Sequence, residues 1–369
     1  MDGQGMTYRD SGVDYKAMDP FKRMCQQAAV TTAGNLAQYG LSELTASRGE
    51  SAYLIEFPDF YLGHVEEGLG TKNLVADAVA LLTGRTHYNQ VGQCNAAMAF
   101  NDLVTLGALP FSFALHLAVA NGGWFENELR CRDLVAGCVE ACNQAGAVWG
   151  AGETPTLKGI IVPGAAEMNC SAIGIIRPKS LLIDPVNLRP GDRIVLLASS
   201  GVHANGLTLC RKIAEKLPDG YVTKLSDGTP YGEALLAPTV IYAEVIRALQ
   251  DARVSIHYTV NITGHGWRKL MRAKQPFAYV VEEVPEPQPI FRFIQEQGPV
   301  DDKEAYGNLN MGAGFAVYVA SQDAERTIEI AQLCGIQAWD CGYLEASQES
   351  SVHIKPKDVN WTAKDLEVR

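Results

Sequence analysis

The sequence lacks the features that mark several common classes of protein. Its nine cysteines form no CxxC pair and no spacing typical of a zinc site. Cys131, Cys138 and Cys142 fall on one helical stripe, as small buried hydrophobic residues in a reducing compartment would. No apolar run approaches the roughly 20 residues that span a bilayer, and the opening MDGQGMTYRDSG contains no apolar signal core. We therefore expect a cytoplasmic protein without a membrane segment.

Positive charge is also scarce. The 369 residues include 31 Lys and Arg against 42 Asp and Glu, which gives a net charge of -11 and a pI near 5.2. Nucleic acid is excluded as a partner, because little in the chain would neutralise its phosphates. An acidic protein that handles phosphorylated molecules needs metal ions, backbone amides or a few well-placed cations. The length and the 47% hydrophobic content predict two domains with a substantial core.

Strand-like and helix-like segments are mixed in both halves, which predicts an α/β (α+β) fold. The segment RPKSLLIDPVNLRPGD, residues 177–192, carries three prolines and a PGD turn, so it is the best domain boundary. The sequence is accordingly divided into an N-terminal arm (1–30), an N-terminal domain (31–178), a C-terminal domain (189–346) and a polar, peripheral tail (347–369). Strands are predicted at 53–57, 111–120, 147–149, 171–176, 193–201, 278–281 and 315–319, and helices near 21–29, 89–107, 126–144, 207–217 and 323–334.

The segment EEGLGTK, residues 66–72, has a composition that suits phosphate binding. Gly68 and Gly70 would let backbone amides approach phosphate oxygens, Glu67 could hold magnesium and Lys72 would supply a positive charge. The spacing is not that of a Walker loop. A glycine turn that simply leads into a helix is the alternative.

Two further segments place carboxylates in unusual surroundings. Asn101 and Asp102 lie in a helix of small apolar residues, where a buried charge is costly unless it is paired or bound to a metal. A structural hydrogen-bonding pair is the alternative there. Glu153, in AGETPTLKG, follows a strand and neighbours glycines, a common position for metal or substrate ligands in α/β folds. It could equally be an ordinary turn acid.

The segment SSGVHANG, residues 199–206, follows a strand and opens a helix. Free amides and the helix dipole attract anions at such a position, although the serines could merely cap the helix. The glycine loops ITGHGW (262–267) and NLNMGAG (308–314) would each be taken for turns if they stood alone.

Taken together, these segments indicate one known family rather than a set of unrelated turns. YRDSGVD, EGLGTK, ND, GET, SSGVHANG, APTVIY, ITGHG and NMGAG occur in the order found in the aminoimidazole ribonucleotide synthetase (phosphoribosylformylglycinamidine cyclo-ligase) family, which the chain resembles from about Tyr8 to Gly314. Formylglycinamidine ribonucleotide synthetase, selenophosphate synthetase, thiamine monophosphate kinase and a hydrogenase maturation factor share the superfamily. The tyrosine-bearing arm, APTVIY and NMGAG favour the cyclo-ligase.

The resemblance implies a homodimer in which the N-terminal sheets of two subunits pair, with a C-terminal α/β domain beside each. It implies a reaction in which ATP and Mg2+ convert formylglycinamidine ribonucleotide into aminoimidazole ribonucleotide, ADP and phosphate. Site roles are carried over to three groups of residues: metal ligands (Glu67, Asp102, Glu153), nucleotide contacts (Gly68, Gly70, Thr71, Lys72, Asn101, Gly152, Ser200, Gly201) and catalytic groups (His203, Asn205, Asp102). No general acid or base is evident.

The sequence departs from the family pattern at several of these positions. Glu67 and Glu167 stand where the family has aspartate, and Cys94 stands where it has another aspartate, although a thiol is a poor magnesium ligand. Ala151 and His265 replace glycines, and the family's early glycine-rich segment is not found within residues 30–50. Two alternatives therefore stay open: a superfamily enzyme that phosphorylates another small substrate, and a non-catalytic paralogue that acts as a binding protein.

Overall fold

The computed structural model describes residues 15–366. After helix α1 (Tyr15–Val30), six strands form the first sheet: β1 (Ser42–Glu43), β2 (Tyr53–Glu56), β3 (Tyr61–Gly68), β4 (Leu109–Val119), β5 (Val148–Glu153) and β6 (Ala166–Ile176). Their order in the sheet is β1-β2-β3-β6-β4-β5, and every pair is antiparallel except β4 and β5. Three helices belong to this domain: α2 (Lys72–Thr83), α3 (Tyr88–Val104) and α4 (Glu128–Ala145).

Helix α3 is the buried centre of the first domain, as its small apolar residues predict. It packs closely on α4 because glycines remove side chains from the contact. A Cβ on Gly92 would lie 2.6 Å from the carbonyl oxygen of Leu134, and one on Gly137 would lie 1.9 Å from that of Asn89. This packing fixes α3 between α4 and the sheet, and so fixes the Asn101–Asp102 pair near its carboxyl end.

The helices cover only one face of the first sheet. Along β3, Gly63 and Val65 are buried whereas His64, Glu66 and Gly68 are exposed, which is the alternation expected of a strand with one covered face. The two faces therefore offer different surroundings to neighbouring residues of the same strand.

The second sheet contains seven strands: β7 (Arg193–Ala198), β8 (Ile256–Asn261), β9 (Phe277–Val281), β10 (Ala313–Val319), β11 (Ala338–Ala346), β12 (Ser351–Ile354) and β13 (Val359–Thr362). Their order is β13-β12-β9-β11-β7-β10-β8, with only β12 and β9 parallel. The helices of this domain are α5 (Leu207–Lys216), α6 (Tyr231–Leu235), α7 (Ala243–Asp251), α8 (Pro289–Gln297), α9 (Asp302–Asn308) and α10 (Ala324–Leu333). Every residue of β10 is buried.

The predicted mixture of strands and helices in two α/β domains is confirmed, but the tail prediction is wrong. β12 and β13 extend the second sheet, and Val352, Ile354 and Trp361 are buried in its core. Polar residues stand between these apolar ones, so the segment looks polar overall. The apolar positions nevertheless alternate, as in two strands with one buried face. Residues 177–192 hold neither a strand nor an α-helix. Within residues 15–366, no helix combines the length and apolar character that crossing a membrane requires.

Candidate active site at the domain boundary

The turn between β3 and α2 is rich in glycine, and the N–H of Leu69 within it donates to the carbonyl oxygen of Met168. Gly68 and Gly70 are exposed, and Gly70 has a φ of 74°, which favours glycine. A Cβ on Gly68 would lie 2.8 Å from Oδ1 of Asn169. The Oγ1 atom of Thr71 is buried and has no hydrogen-bond partner among residues 15–366. The turn thus offers amides and a hydroxyl to an anion at the start of α2.

Lys72 does not contribute to that anion site. Its side chain is 0% exposed, and its Nζ donates hydrogen bonds to the carbonyl oxygens of His203, at 2.8 Å, and Ala237, at 2.6 Å. Both acceptors belong to the second domain. The structure contradicts the predicted contact with nucleotide phosphates, because the ammonium is buried and satisfied by carbonyls across the domain boundary.

Asn101 is likewise a link between the domains. Its Nδ2 donates to the carbonyl oxygen of Val240 at 2.7 Å, and its Oδ1 accepts from the backbone N–H of Tyr242 at 2.9 Å. The residue is 1% exposed. The predicted nucleotide contact is therefore wrong, since both ends of the amide hold the APTVIY segment against α3.

His203 is buried and neutral. Its Nε2 accepts the backbone N–H of Ser200 at 3.2 Å, and burial, followed by the positive charge of Lys72, lowers its pKa to about 3. A Cβ on Gly314 would lie 2.6 Å from Cε1 of His203, so the NMGAG loop closes over the ring. The predicted catalytic role of His203 is not supported, because the ring has an internal partner and no exposed face.

Ser200 and Gly201 also serve the loop itself. The hydroxyl of Ser200 donates to the carbonyl oxygen of Pro238, and the carbonyl oxygen of Gly201 accepts from Nδ2 of Asn310 at 2.8 Å. Asn310 in turn accepts from the hydroxyl of Ser199 at 2.9 Å. The predicted nucleotide contacts through these two residues stay predictions, and the missed residue is Asn310, which binds the two glycine motifs together.

Asn205 keeps an unpaired donor in the same loop. Its side chain is partly buried, and its Nδ2 atom is buried without a hydrogen-bond partner in the described chain. The loop that carries it touches the β3–α2 turn, since a Cβ on Gly70 would lie 3.8 Å from the carbonyl oxygen of Ala204. The unpaired donors Asn205 and Thr71 therefore belong to two loops that meet at the domain boundary.

Two predicted metal ligands, Glu67 and Asp102, come together beside this junction. The pKa of Glu67 is raised to about 8, chiefly because its carboxyl is buried and next because of the charge of Asp102, to which it hydrogen-bonds. Asp102 is 7% exposed, and its Oδ1 accepts from Nδ2 of Asn261 at 2.7 Å. This acidic pair joins the end of β3 to α3 and reaches the second domain.

Lys269 stands near the acidic pair and was not singled out from the sequence. Its Nζ donates to the hydroxyl of Thr263 and, at 3.4 Å, to the carbonyl oxygen of Asn261. Burial first, and the neighbouring charge of Arg272 second, lower the pKa of Lys269 to about 8, although Asp102 and Glu67 oppose that shift. The signal that could have found it was a lysine two residues after the ITGHGW segment.

Glu153 does not join the other two acids. A row of paired residues crosses the sheet from Gly68 through Asn169 and His116 to Glu153. Paired residues share a face, so Glu153 lies on the same face as Gly68. Glu67, the neighbour of Gly68 in β3, lies on the other face. Three strand spacings separate Gly68 from Glu153, about 14 Å. No group of three or more His, Cys, Asp or Glu side chains within residues 15–366 could hold a metal. The predicted three-acid site is therefore wrong.

Gly152 is separated from the β3–α2 turn for the same reason. β5 extends to Glu153 instead of ending at residue 149, because residues 151–153 pair with β4 at the sheet edge. A Cβ on Gly152 would lie 2.9 Å from the carbonyl oxygen of Leu115. This glycine is required by the strand contact, and the predicted nucleotide contact is not supported.

The acidic pair nevertheless fits a magnesium ion. Mg2+ is usually held by one or two protein carboxylates, with phosphate oxygens and water completing its shell. Glu67 and Asp102 supply two, and their mutual repulsion would be relieved by a cation. Cys94 cannot add a ligand, since it is fully buried and its Sγ accepts the N–H of Thr239 at 3.2 Å.

The boundary thus combines an amide-rich turn, two unpaired donors and an acidic pair, a site suited to phosphoryl groups and a cation. Two family models match the chain. The model of the N-terminal domain of AIR synthase related proteins matches residues 52–176, and that of the C-terminal domain matches residues 189–355. The chain belongs to the AIR synthase family.

Curated relatives narrow the comparison within that family. The phosphoribosylformylglycinamidine cyclo-ligase of Methanococcus maripaludis is 32% identical over 356 residues, covering 96% of each chain. That of Methanocaldococcus jannaschii is 33% identical over 348 residues, covering 93% of each chain.

Solved structures share the fold at low identity. A HypE–HypF complex matches with a TM-score of 0.59 and 18% identity, covering 85% of this chain and 92% of that one. The hydrogenase maturation protein HypE in complex with ATP matches with a TM-score of 0.57 and 16% identity, covering 76% and 81%.

Proposed function

We propose that this chain is an ATP-dependent cyclo-ligase that converts formylglycinamidine ribonucleotide into aminoimidazole ribonucleotide. The observation that carries the proposal is the meeting of the Thr71 turn and the Asn205 loop beside Glu67 and Asp102. The cyclo-ligase relatives, which align along nearly the whole chain, support the choice of substrate.

The reaction requires activation of an amide oxygen, which is a poor leaving group. The formyl oxygen attacks the γ-phosphorus of ATP and ADP departs. The amidine nitrogen then attacks the formyl carbon, the ring closes, and phosphate leaves with the former formyl oxygen as a proton is lost. Such chemistry depends mainly on positioning and on neutralising negative charge.

The described residues can supply both requirements. The amides of Gly70 and Thr71 and the Thr71 hydroxyl donate to phosphate oxygens, and the Asn205 amide donates to the substrate phosphate or to the transferring phosphoryl group. Glu67 and Asp102 would hold Mg2+, which offsets the charge of the phosphates when it is bound. Asn261 orients Asp102 by its hydrogen bond.

We also propose that two subunits pair through the uncovered face of the first sheet. Ile55, Leu62 and Ile175 lie opposite one another on neighbouring strands of that face and remain partly exposed, which suits an apolar contact. A cytoplasmic location is supported by the nine free cysteines, six of them buried.

The test is ADP release with formylglycinamidine ribonucleotide, ATP and Mg2+, for the unaltered chain and for Asp102→Asn. The asparagine can still accept the Asn261 hydrogen bond, so folding should persist while turnover falls about a hundredfold or more. Asp251→Asn, an exposed position at the end of α7, is the matched control and should leave the rate unchanged.

Three outcomes have different meanings. Substrate-dependent ADP release that collapses in Asp102→Asn supports the cyclo-ligase. ATP binding without turnover would reject that substrate and favour another small acceptor. A folded chain that binds no ATP would indicate a non-catalytic relative.

A further inference from the structure

The guanidinium of Arg268 joins three segments of the second domain. This residue directly follows the ITGHGW segment. Its Nε and Nη2 donate to the carbonyl oxygen of Gly307, at 2.9 and 2.6 Å, and Nη2 donates also to Oδ1 of Asn308, at 3.0 Å. Its Nη1 donates to the carbonyl oxygen of Asp365, at 3.1 Å. Arg268 therefore ties the ITGHGW segment to the end of α9 and to the turn that follows β13.

The first two of these segments support different parts of the proposed site. Asn261, which orients Asp102, immediately precedes the ITGHGW segment. The NLNMGAG segment starts at the end of α9, and its Asn310 bonds to the loop that carries Asn205. Trp267 joins the two segments, because its Nε1 donates to the carbonyl oxygen of Asn310 at 2.8 Å. A displacement of either segment would therefore shift the support of Asp102 or of Asn205.

The third segment holds Arg268 from the C-terminal end of the chain. The backbone N–H and the hydroxyl of Thr362 donate to Oδ2 of Asp365, at 2.8 and 3.2 Å, and these bonds shape the turn at residues 363–365. Trp361 of β13 is 3% exposed and packs on the same part of α9, since a Cβ on Gly307 would lie 3.4 Å from its Cζ2. The side chain of Asp365 is exposed, although its carbonyl oxygen accepts from Arg268.

The chemistry of the contacts indicates that Arg268 fixes geometry. Guanidinium is a planar group with five N–H donors in a rigid fork, so it sets the direction as well as the distance of its acceptors. Three of its acceptors are uncharged groups of the second domain, the carbonyl oxygens of Gly307 and Asp365 and the amide oxygen of Asn308. The turn between β3 and α2, which offers donors to phosphate, belongs to the first domain.

We propose that Arg268 is a positioning residue for the reaction, and that the turn at residues 363–365 holds it in place. Arg268 acts through the ITGHGW and NLNMGAG segments on Asp102 and Asn205. The role in the reaction rests on the proposed function.

The kinetic test compares three variants of the full chain. Arg268→Met keeps the apolar stem and removes the guanidinium, so kcat should fall about tenfold or more, since small misplacements of reacting groups are costly. Asp365→Ala removes the acceptor of both Thr362 bonds at an exposed position and should lower kcat about threefold or more. The KM for ATP at saturating Mg2+ should stay within about twofold in both. Lys364→Ala, exposed in the same turn, is the matched control and should change neither constant.

The second measurement does not depend on turnover. Amide hydrogen exchange should become faster in the ITGHGW and NLNMGAG segments of Arg268→Met and Asp365→Ala, and stay unchanged in Lys364→Ala. The free energy of unfolding of Asp365→Ala in urea should be unaltered, which separates local loosening from a general loss of stability.

Two results overturn the proposal: unchanged exchange in both segments, or faster exchange with an unchanged kcat. An equal fall of stability and kcat in Asp365→Ala would also overturn it, because a purely structural role would then account for the loss. An unaltered chain without turnover would reject the proposed function and with it the role in the reaction, whereas the exchange rates would still show whether Arg268 holds the two segments.

Discussion

Replacing Lys72 by methionine tests most directly whether its ammonium group links the two domains. Methionine keeps the length of the side chain and removes the charge and all its donors. The carbonyl oxygens of His203 and Ala237, now 2.8 and 2.6 Å from the ammonium, would stay at the domain boundary without a donor. A hydrogen bond from a charged group contributes about 1.5–3 kcal/mol, so the two together contribute about 3–6 kcal/mol. Removing a buried ammonium recovers part of this desolvation cost.

We therefore expect Lys72→Met to lower the free energy of unfolding by about 2–4 kcal/mol. Urea unfolding followed by circular dichroism measures this loss, and Lys216→Met, at an exposed position on α5, is the matched control with an expected change below about 0.5 kcal/mol. The Kd for ATP is measured on the folded variant in parallel. Unchanged stability together with at least about tenfold weaker ATP binding would refute the structural role and restore the phosphate contact.

Three other changes probe the same boundary. Thr71→Val should preserve stability and weaken ATP binding about tenfold or more, since it removes only an unpaired hydroxyl. Calorimetry measures the Kd for ATP, and an unchanged Kd would exclude a contact between the Thr71 hydroxyl and the nucleotide. Asn101→Asp should lower the free energy of unfolding by about 2–4 kcal/mol, because a carboxylate cannot donate to Val240; intact stability in urea would contradict this. Cation binding must displace the proton that Glu67 retains below its pKa of about 8, so Mg2+ affinity should rise from pH 6.5 to 8 and level off above; a flat profile would show that Glu67 is not a ligand.

The sequence predicted those features that depend on local pattern. The apolar run of β10, the small residues of α3 and the glycine that ends α4 at residue 146 all predicted elements close to those observed. Asn101 and Asp102 were singled out because polar residues stand among small apolar ones. The structure confirms that both are buried and paired, one with backbone groups and the other with Asn261.

The functional assignments failed where the outcome depends on distant residues. Lys72 meets a carbonyl 131 positions away in the chain, so no local pattern could separate a phosphate contact from a link between domains. Glu153 was misplaced because the face of a strand on which a residue lies depends on register, and β5 occupies the sheet edge. Asn261 and Lys269 approach Asp102 only after the two domains pack.

The hydrogen bonds between the domains differ in whether the partner group belongs to the backbone or to a side chain. Lys72 and Asn101 bond to peptide groups, which every residue type except proline carries in the same form. No second-site substitution at His203, Val240 or Tyr242 can therefore suppress the loss of either side chain. Asp102 and Asn261 bond side chain to side chain, so this link can be exchanged reciprocally. A screen for restored stability, rather than activity, should accordingly find suppressors at position 261 for position 102, and none at the backbone partners of positions 72 and 101.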